Sequence, residues 1–202
     1  MTLDRLRPLA DRAVEPFVAG ATRLGLTPDG VSVLAMGVAT AAGLSFYLAG
    51  SEPLLYVAGA FLVFLNGWLD VLDGTLARAL AVDSAAGDLL DHVLDRYADI
   101  VIVVGLAGGV DRYALGFAAV TGVLMTSYLG TQAQAVGLDR VYGGVVGRAD
   151  RLALIGSVTA VAAVVWPTAA GLGPVGWLLA FLAVVGHLTA VQRFYHCLSA
   201  LE

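Results

Sequence analysis

The chain has 202 residues, of which 59% are hydrophobic and 13% are charged, and its formal net charge at pH 7 is −5. Its mean hydropathy is +0.85. Soluble domains are roughly 45–50% apolar, so this composition excludes an ordinary water-soluble domain and predicts a polytopic membrane protein. We expect no nucleic-acid partner. A lone cysteine, Cys197, excludes an internal disulfide.

The N-terminal part, residues 1–25, is predicted to be an amphipathic helix that lies in the membrane interface rather than crossing it. Apolar residues recur at helical spacing over 2–24, and arginines take other positions. Pro8 and Pro16 are candidate breaks in this helix. A turn follows, in which Thr27 or Asp29 is the expected N-cap of the next helix.

Six apolar segments then make up residues 31–196, and each is close to the roughly 20 residues that a membrane span requires. We place them at 31–49, 54–77, 86–107, 112–134, 150–166 and 174–196. The predicted fold is therefore an all-α membrane protein with six transmembrane helices after the interfacial helix, forming one domain over 1–202. Small residues such as Gly37, Gly43, Gly116 and Gly122 allow helices to approach closely, which suits a bundle and a homodimer.

The arginines predict the orientation of this bundle. Those on the side of the N-terminus are Arg5, Arg7, Arg12, Arg23, Arg78, Arg140, Arg148, Arg151 and Arg193, whereas Arg112 falls on the opposite side. Because cytoplasmic loops carry the excess of positive residues, we expect a multi-pass protein of the cell membrane with both termini in the cytoplasm.

The most informative stretch runs from Asp70 to Asp95. Two of its six aspartates, Asp83 and Asp88, are expected to be solvated loop or first-turn residues, and the other four lie among apolar residues at the ends of the second and third segments. Asp70 and Asp73 are three residues apart, and Asp91 and Asp95 are four apart, so each pair shares one helix face. Ionisable residues are costly in a membrane helix and usually mark a functional site. The orientation above places these acids at the cytoplasmic side.

Four aspartates this close would repel one another unless a cation lay between them. Hard divalent cations prefer oxygen ligands, and Mg²⁺ is usually held by a few carboxylates together with substrate phosphates. Gly74, Ala77 and Gly87 have almost no side chain, so a bulky ligand can approach the backbone beside the acids. The stretch therefore predicts a divalent-metal site that binds a diphosphate.

This stretch resembles the signature of the CDP-alcohol phosphotransferase family, Asp-x2-Asp-Gly-x2-Ala-Arg-x8-Gly-x3-Asp-x3-Asp, at every fixed position. Members of that family transfer a phosphatidyl-type group from a CDP-linked lipid to an alcohol and release CMP. The resemblance implies that Asp70, Asp73, Asp91 and Asp95 bind two divalent ions, Mg²⁺ or Mn²⁺, with Asp95 completing the metal site, taking the acceptor's proton, or both. It further implies that CDP is bordered by Asp70, Asp73, Gly74, Ala77, Arg78 and Gly87.

The acceptor is expected to carry a phosphate, because Arg148, Arg151 and Arg193 lie near the ends of the last two segments and together form a candidate anion site. Gly147-Arg148-Ala149-Asp150-Arg151 and Ser127-Tyr128 look like archaeal archaetidylinositol-phosphate synthases, which join inositol phosphate to CDP-archaeol. Residues 129–132 depart from that pattern by lacking an arginine, so glycerol 3-phosphate stays open as the alternative acceptor.

A second class of function also stays open. Four aspartates in a helical bundle could form a divalent-cation transport path, although a transporter would be expected to space polar ligands through the membrane depth. Asp99 alone lies deeper, one turn beyond Asp95, and we expect it to pair with an arginine.

Overall fold

The computed structural model describes residues 7–82, 84–139, 141, 144–165 and 167–202. Over these residues the chain is all-α, with seven helices and no β-strand, as predicted. The helices are α1 (Arg7–Arg23), α2 (Pro28–Leu48), α3 (Leu55–Leu80), α4 (Ala85–Gly109), α5 (Tyr113–Ala135), α6 (Arg148–Ala162) and α7 (Pro174–Leu201).

Four of these helices, α2, α3, α5 and α7, are long and apolar enough to cross a membrane. The other two predicted spans stay predictions. The 25 residues of α4 are sufficient in number, but acids and an arginine interrupt its first half. The 15 residues of α6 rise only about 22 Å, less than the ~30 Å hydrocarbon core, because this helix ends at Ala162 and not at residue 166.

The N-terminal helix packs against α3 through its apolar face. Val14 is fully buried, and the rings of Phe17 and Trp68 meet edge to face with their centroids 5.4 Å apart. Pro16 lies inside the helix and does not interrupt it. Residues 1–6, with which the predicted segment begins, lie outside the described residues, and the interfacial position of α1 stays a prediction.

The bundle is built from two tightly packed groups. In the first, α2 lies against both α3 and α4, and in the second, α5 lies against α7, while α6 packs on α3. One continuous apolar core runs through both groups and includes the fully buried Phe46, Ile102, Leu106, Ile155 and Leu179.

Glycines set the closest approaches between helices. A Cβ on Gly43 of α2 would lie 2.5 Å from the carbonyl oxygen of Val101, and a Cβ on Gly105 of α4 would overlap the backbone of Gly43. On the other side of the bundle, a Cβ on Gly122 would lie 3.0 Å from the backbone nitrogen of His187. Gly43 and Gly122 thus pack as predicted, whereas Gly37 faces open space.

The contact between α2 and α4 gives a direct test of this packing. Substituting Gly105→Val should lower the free energy of unfolding by about 1–3 kcal/mol, because helix backbone, unlike a flexible side chain, cannot move aside. The measurement is thermal or denaturant unfolding of the purified protein in detergent. Gly37→Val is the matched control and should change stability little, and equal losses in the two variants would contradict this packing.

Candidate functional site

The junction between α3 and α4 brings the predicted acids together. Helix α3 closes at Ala81, whose backbone is left-handed with φ 50°. Helix α4 opens with Ser84 as its N-cap, whose hydroxyl accepts from the Gly87 N–H at 3.0 Å. Because the chain reverses over so few residues, the acid-bearing ends of both helices lie at the same end of the bundle, where their carboxylates converge.

Three of the four predicted metal ligands form one cluster, which we call the aspartate triad: Asp70 of α3 with Asp91 and Asp95 of α4. Each offers a carboxylate oxygen, and these oxygens all lie within 4.8 Å of one another. All three side chains are half-buried. Several carboxylate oxygens converging at this distance suit a hard divalent cation, so the residues fit the predicted metal.

The fourth predicted ligand, Asp73, lies outside the triad. It is buried, and its Oδ2 accepts a hydrogen bond of 2.9 Å from the Ser32 hydroxyl. Ser32 lies one turn into α2. The start of this helix is capped by the Thr27 side chain, which accepts from the Gly30 N–H at 3.1 Å. The predicted N-cap at Thr27 is therefore confirmed, and it holds the start of α2 next to Asp73.

A cleft opens where α2, α3 and α4 meet. Its lining residues are Pro28, Asp29, Ser32, Asp73, Gly74, Ala77, Val82, Ser84, Gly87, Asp88 and Asp91. A Cβ on Gly87 would lie 3.2 Å from both Asp29 Oδ1 and Ser84 Oγ, so a larger residue there would narrow the cleft. Asp91 belongs to both the cleft and the triad, and therefore joins the two features into one site.

Arg78, predicted to contact the diphosphate, binds elsewhere in the structure. Its Nη2 lies 3.1 Å from Asp11 Oδ1 of α1 and donates to Thr75 Oγ1 at 3.1 Å. Its side chain is 48% exposed, so this surface ion pair contributes little stability. The guanidinium can therefore change partners at small cost.

Beside the triad lies a network of arginines and acids that the sequence did not predict in full. Arg148 Nη1 donates to Asp70 Oδ1 at 2.5 Å, and its Nη2 lies 2.7 Å from Asp95 Oδ1. Arg151 Nη2 donates to Asp99 Oδ2 at 2.6 Å, and both of these side chains are almost fully buried. The predicted pairing of Asp99 with an arginine is confirmed.

Both arginines lie in the first turn of α6, which the Asp150 carboxylate fixes by accepting from the Gly147 N–H at 3.1 Å. Cations are unfavourable at a helix N-terminus, so α6 gains no stability from them locally. Their partners are acids of other helices. The contacts of Arg148 with Asp70 and Asp95 had no signal in the sequence, because they depend on how α6 is rotated against α3 and α4.

Arg193, the third predicted acceptor residue, is buried on α7 and donates to the Thr126 carbonyl oxygen at 2.7 Å. It packs closely on Gly130 of α5. The structure thus brings Arg148 and Arg151 together around Asp99, and Arg193 contacts α5.

Comparison with known proteins identifies relatives of the whole chain. The profile of the CDP-alcohol phosphatidyltransferase family matches residues 25–191. An archaetidylinositol phosphate synthase of Methanothermobacter thermautotrophicus is 32% identical over 99% of this chain and 96% of its own length. A phosphatidylinositol phosphate synthase of Mycobacterium bovis is 31% identical over 91% of this chain and 85% of its own.

Solved structures of the Mycobacterium tuberculosis phosphatidylinositol phosphate synthase share the fold. The crystal structure with CDP-DAG bound has a TM-score of 0.78 at 28% identity, over 92% of this chain and 94% of that one. The complex with manganese and citrate has a TM-score of 0.77 at 28% identity, over 91% and 88%.

The buried pair of Asp99 and Arg151 predicts a large stability effect. Asp99→Asn should lower the free energy of unfolding by about 3–5 kcal/mol, because it leaves the buried Arg151 charge uncompensated. Unfolding in detergent measures this, with the exposed Asp111→Asn as the control. A loss for Asp99→Asn no larger than that of the control would contradict the assigned pairing.

Proposed function

From the premise that this chain belongs to the CDP-alcohol phosphatidyltransferase family, we propose that it transfers a phosphatidyl or archaetidyl group from a CDP-linked lipid to inositol phosphate and releases CMP. The family is one of transferases, so the alternative of a cation transporter is set aside. The observation that carries the proposal is the aspartate triad joined through Asp91 to a cleft lined by small residues.

We propose that Asp70, Asp73, Asp91 and Asp95 hold two divalent ions, Mg²⁺ or Mn²⁺. The triad supplies three of the carboxylates, and Asp73 could add another oxygen while its Oδ2 keeps the hydrogen bond from Ser32. The manganese complex of the mycobacterial relative supports a metal of this kind. Bound divalent ions neutralise the diphosphate and stabilise the departing CMP.

The cleft is the proposed site for the cytidine diphosphate of the donor. Gly74, Ala77 and Gly87 let the ligand approach the helix backbones. Asp73 and Asp91, two of the proposed metal ligands, lie in the wall of the cleft. The relative with CDP-DAG bound supports a donor of this class. Arg78 would exchange its exposed contact with Asp11 for phosphate oxygens, which a guanidinium binds well.

Asp95 is the proposed acceptor of the hydroxyl proton. It is the least exposed member of the triad, and its Oδ1 lies 2.7 Å from Arg148 Nη2, so an acceptor bound by the α6 arginines would present its hydroxyl nearby. A carboxylate within hydrogen-bond reach of that hydroxyl can accept its proton as the new oxygen–phosphorus bond forms. No protein nucleophile is needed for such a direct transfer.

Arg148, Arg151 and Arg193 are proposed to bind the phosphate of the acceptor. The two relatives named above are synthases of inositol-phosphate lipids, which supports inositol phosphate. The absence of arginine from residues 129–132 favours glycerol 3-phosphate as the second candidate. Either acceptor supplies an anion for the same arginines.

We further propose that the chain is one domain over 1–202 with α1 in the interface, six spans, and the site and both termini at the cytoplasmic face of the cell membrane. Four apolar helices of spanning length and the distribution of arginines support this arrangement. A homodimer is part of the same proposal.

The first test is a product assay. The purified protein is incubated with CDP-archaeol or CDP-diacylglycerol and Mg²⁺. When inositol phosphate is added as the acceptor, the protein should release CMP, and mass spectrometry should detect the corresponding inositol-phosphate lipid. Unphosphorylated inositol should not react, and EDTA should stop the reaction. If glycerol 3-phosphate reacts and inositol phosphate does not, glycerol 3-phosphate replaces inositol phosphate as the proposed acceptor. Release of CMP that continues in the presence of EDTA would contradict the metal-dependent mechanism.

The second test addresses Asp95. Asp95→Asn should lower CMP release by a factor of about 10²–10⁴ or more, because it removes a proton acceptor and a metal ligand together. The protein should still elute as a folded bundle in detergent. Asp111→Asn, in the turn between α4 and α5 and far from the site, should retain activity. Undiminished CMP release from Asp95→Asn would contradict its role.

A further inference from the structure

Arg148 holds two members of the aspartate triad at once. Its two terminal nitrogens bind Asp70 Oδ1 and Asp95 Oδ1 at 2.5 and 2.7 Å, and these acids come from different helices. We infer that Arg148 and divalent ions compete for Asp70 and Asp95, so that an oxyanion bound by Arg148 strengthens metal binding. This inference rests on the proposed function and adds a linkage between its two ligand sites.

Competition follows from charge and from shared atoms. The guanidinium already neutralises one charge of the triad, and it does so at oxygens that a divalent ion between Asp70 and Asp95 would need. A divalent ion there would also lie close to a like charge that is only 17% exposed and is poorly screened by water. Each cation therefore weakens the binding of the other.

The arginines have hydrogen-bonding capacity left for an anion. Arg96, Arg148 and Arg151 each keep a buried Nε–H that has no hydrogen-bond acceptor among the described residues. Asp99 is shared by all three, with Arg96 Nε and Arg148 Nε 3.8 and 3.9 Å from its oxygens. Buried donors without acceptors are costly, and a tetrahedral oxyanion would supply acceptors to them.

The anion in question is the phosphate of the acceptor rather than the diphosphate of the donor. The cleft proposed for CDP is lined from α2, α3, α4 and the turn between the last two, whereas Arg148 belongs to α6 and approaches the triad beside Asp99. An oxyanion that draws Arg148 toward itself releases Asp70 and Asp95 to the metal. By thermodynamic reciprocity, the metal strengthens anion binding by the same factor.

The test measures Mn²⁺ affinity of the full-length protein in detergent, from the electron paramagnetic resonance signal of free Mn²⁺, without substrate or turnover. Sulfate serves as the oxyanion probe, and Mn²⁺ affinity in sulfate is compared with Mn²⁺ affinity in chloride at the same ionic strength. Sulfate should tighten Mn²⁺ binding to the wild-type protein about fivefold or more, the range typical of coupled sites. Without sulfate, Arg148→Gln should bind Mn²⁺ more tightly than wild type, and sulfate should add nothing further.

Arg112→Gln, at the opposite end of the bundle, is the matched control and should behave as wild type in both salts. The inference is overturned if sulfate has no effect on the wild type, if sulfate acts equally on Arg148→Gln, or if Arg148→Gln binds Mn²⁺ more weakly. Mn²⁺ binding without linkage to sulfate would overturn this inference alone, whereas absence of Mn²⁺ binding by the wild type would overturn the proposed function as well. If Arg148→Gln does not fold, the effect of sulfate on Mn²⁺ binding by the wild-type protein still tests the inference.

Discussion

Mutual repulsion among carboxylates is the constraint on which the rest of this bundle depends. Asp70, Asp91 and Asp95 converge within 4.8 Å, and the fully buried Asp99 lies one turn deeper. Such a cluster is unstable unless cations compensate it. Arg96 of α4 supplies part of that compensation. The arginines of α6 supply the rest across helix boundaries, since α6 itself gains nothing from cations in its first turn. The charge requirement therefore fixes where α6 must lie against α3 and α4.

The packing of the apolar helices positions the acids and the cleft beside them. Gly43 and Gly105 allow α2 and α4 to touch backbone to backbone, and the Thr27 cap sets the first turn of α2 over Asp73. The same closeness leaves a cleft whose walls are glycine, alanine and acid. One wall of the cleft, at Asp91, is also part of the triad. A diphosphate bound in this cleft would therefore lie next to a carboxylate of the triad, as expected for a member of the CDP-alcohol phosphatidyltransferase family.

Much of this arrangement could be predicted from the sequence. The apolar segments located the helices, and the depth of Asp99 predicted an arginine partner. The spacing of the aspartates predicted the convergence of Asp70, Asp91 and Asp95, but not the separate position of Asp73. The contacts of Arg148 with Asp70 and Asp95, of Ser32 with Asp73 and of Asp11 with Arg78 could not be predicted. They depend on the rotation and height of one helix relative to another, which local periodicity does not specify. The early end of α6 at Ala162 was likewise missed, because the apolar run continues beyond it into the following loop.

The central claim is that acids of α3 and α4 bind divalent ions which in turn bind a cytidine diphosphate. The most direct measurement is anomalous X-ray scattering from crystals of this protein grown with Mn²⁺ and CDP. The account predicts anomalous peaks at coordination distance from oxygens of Asp70, Asp91 and Asp95, with the diphosphate in contact with the metal. Peaks located away from these carboxylates, or a nucleotide bound with no metal beside it, would contradict the account.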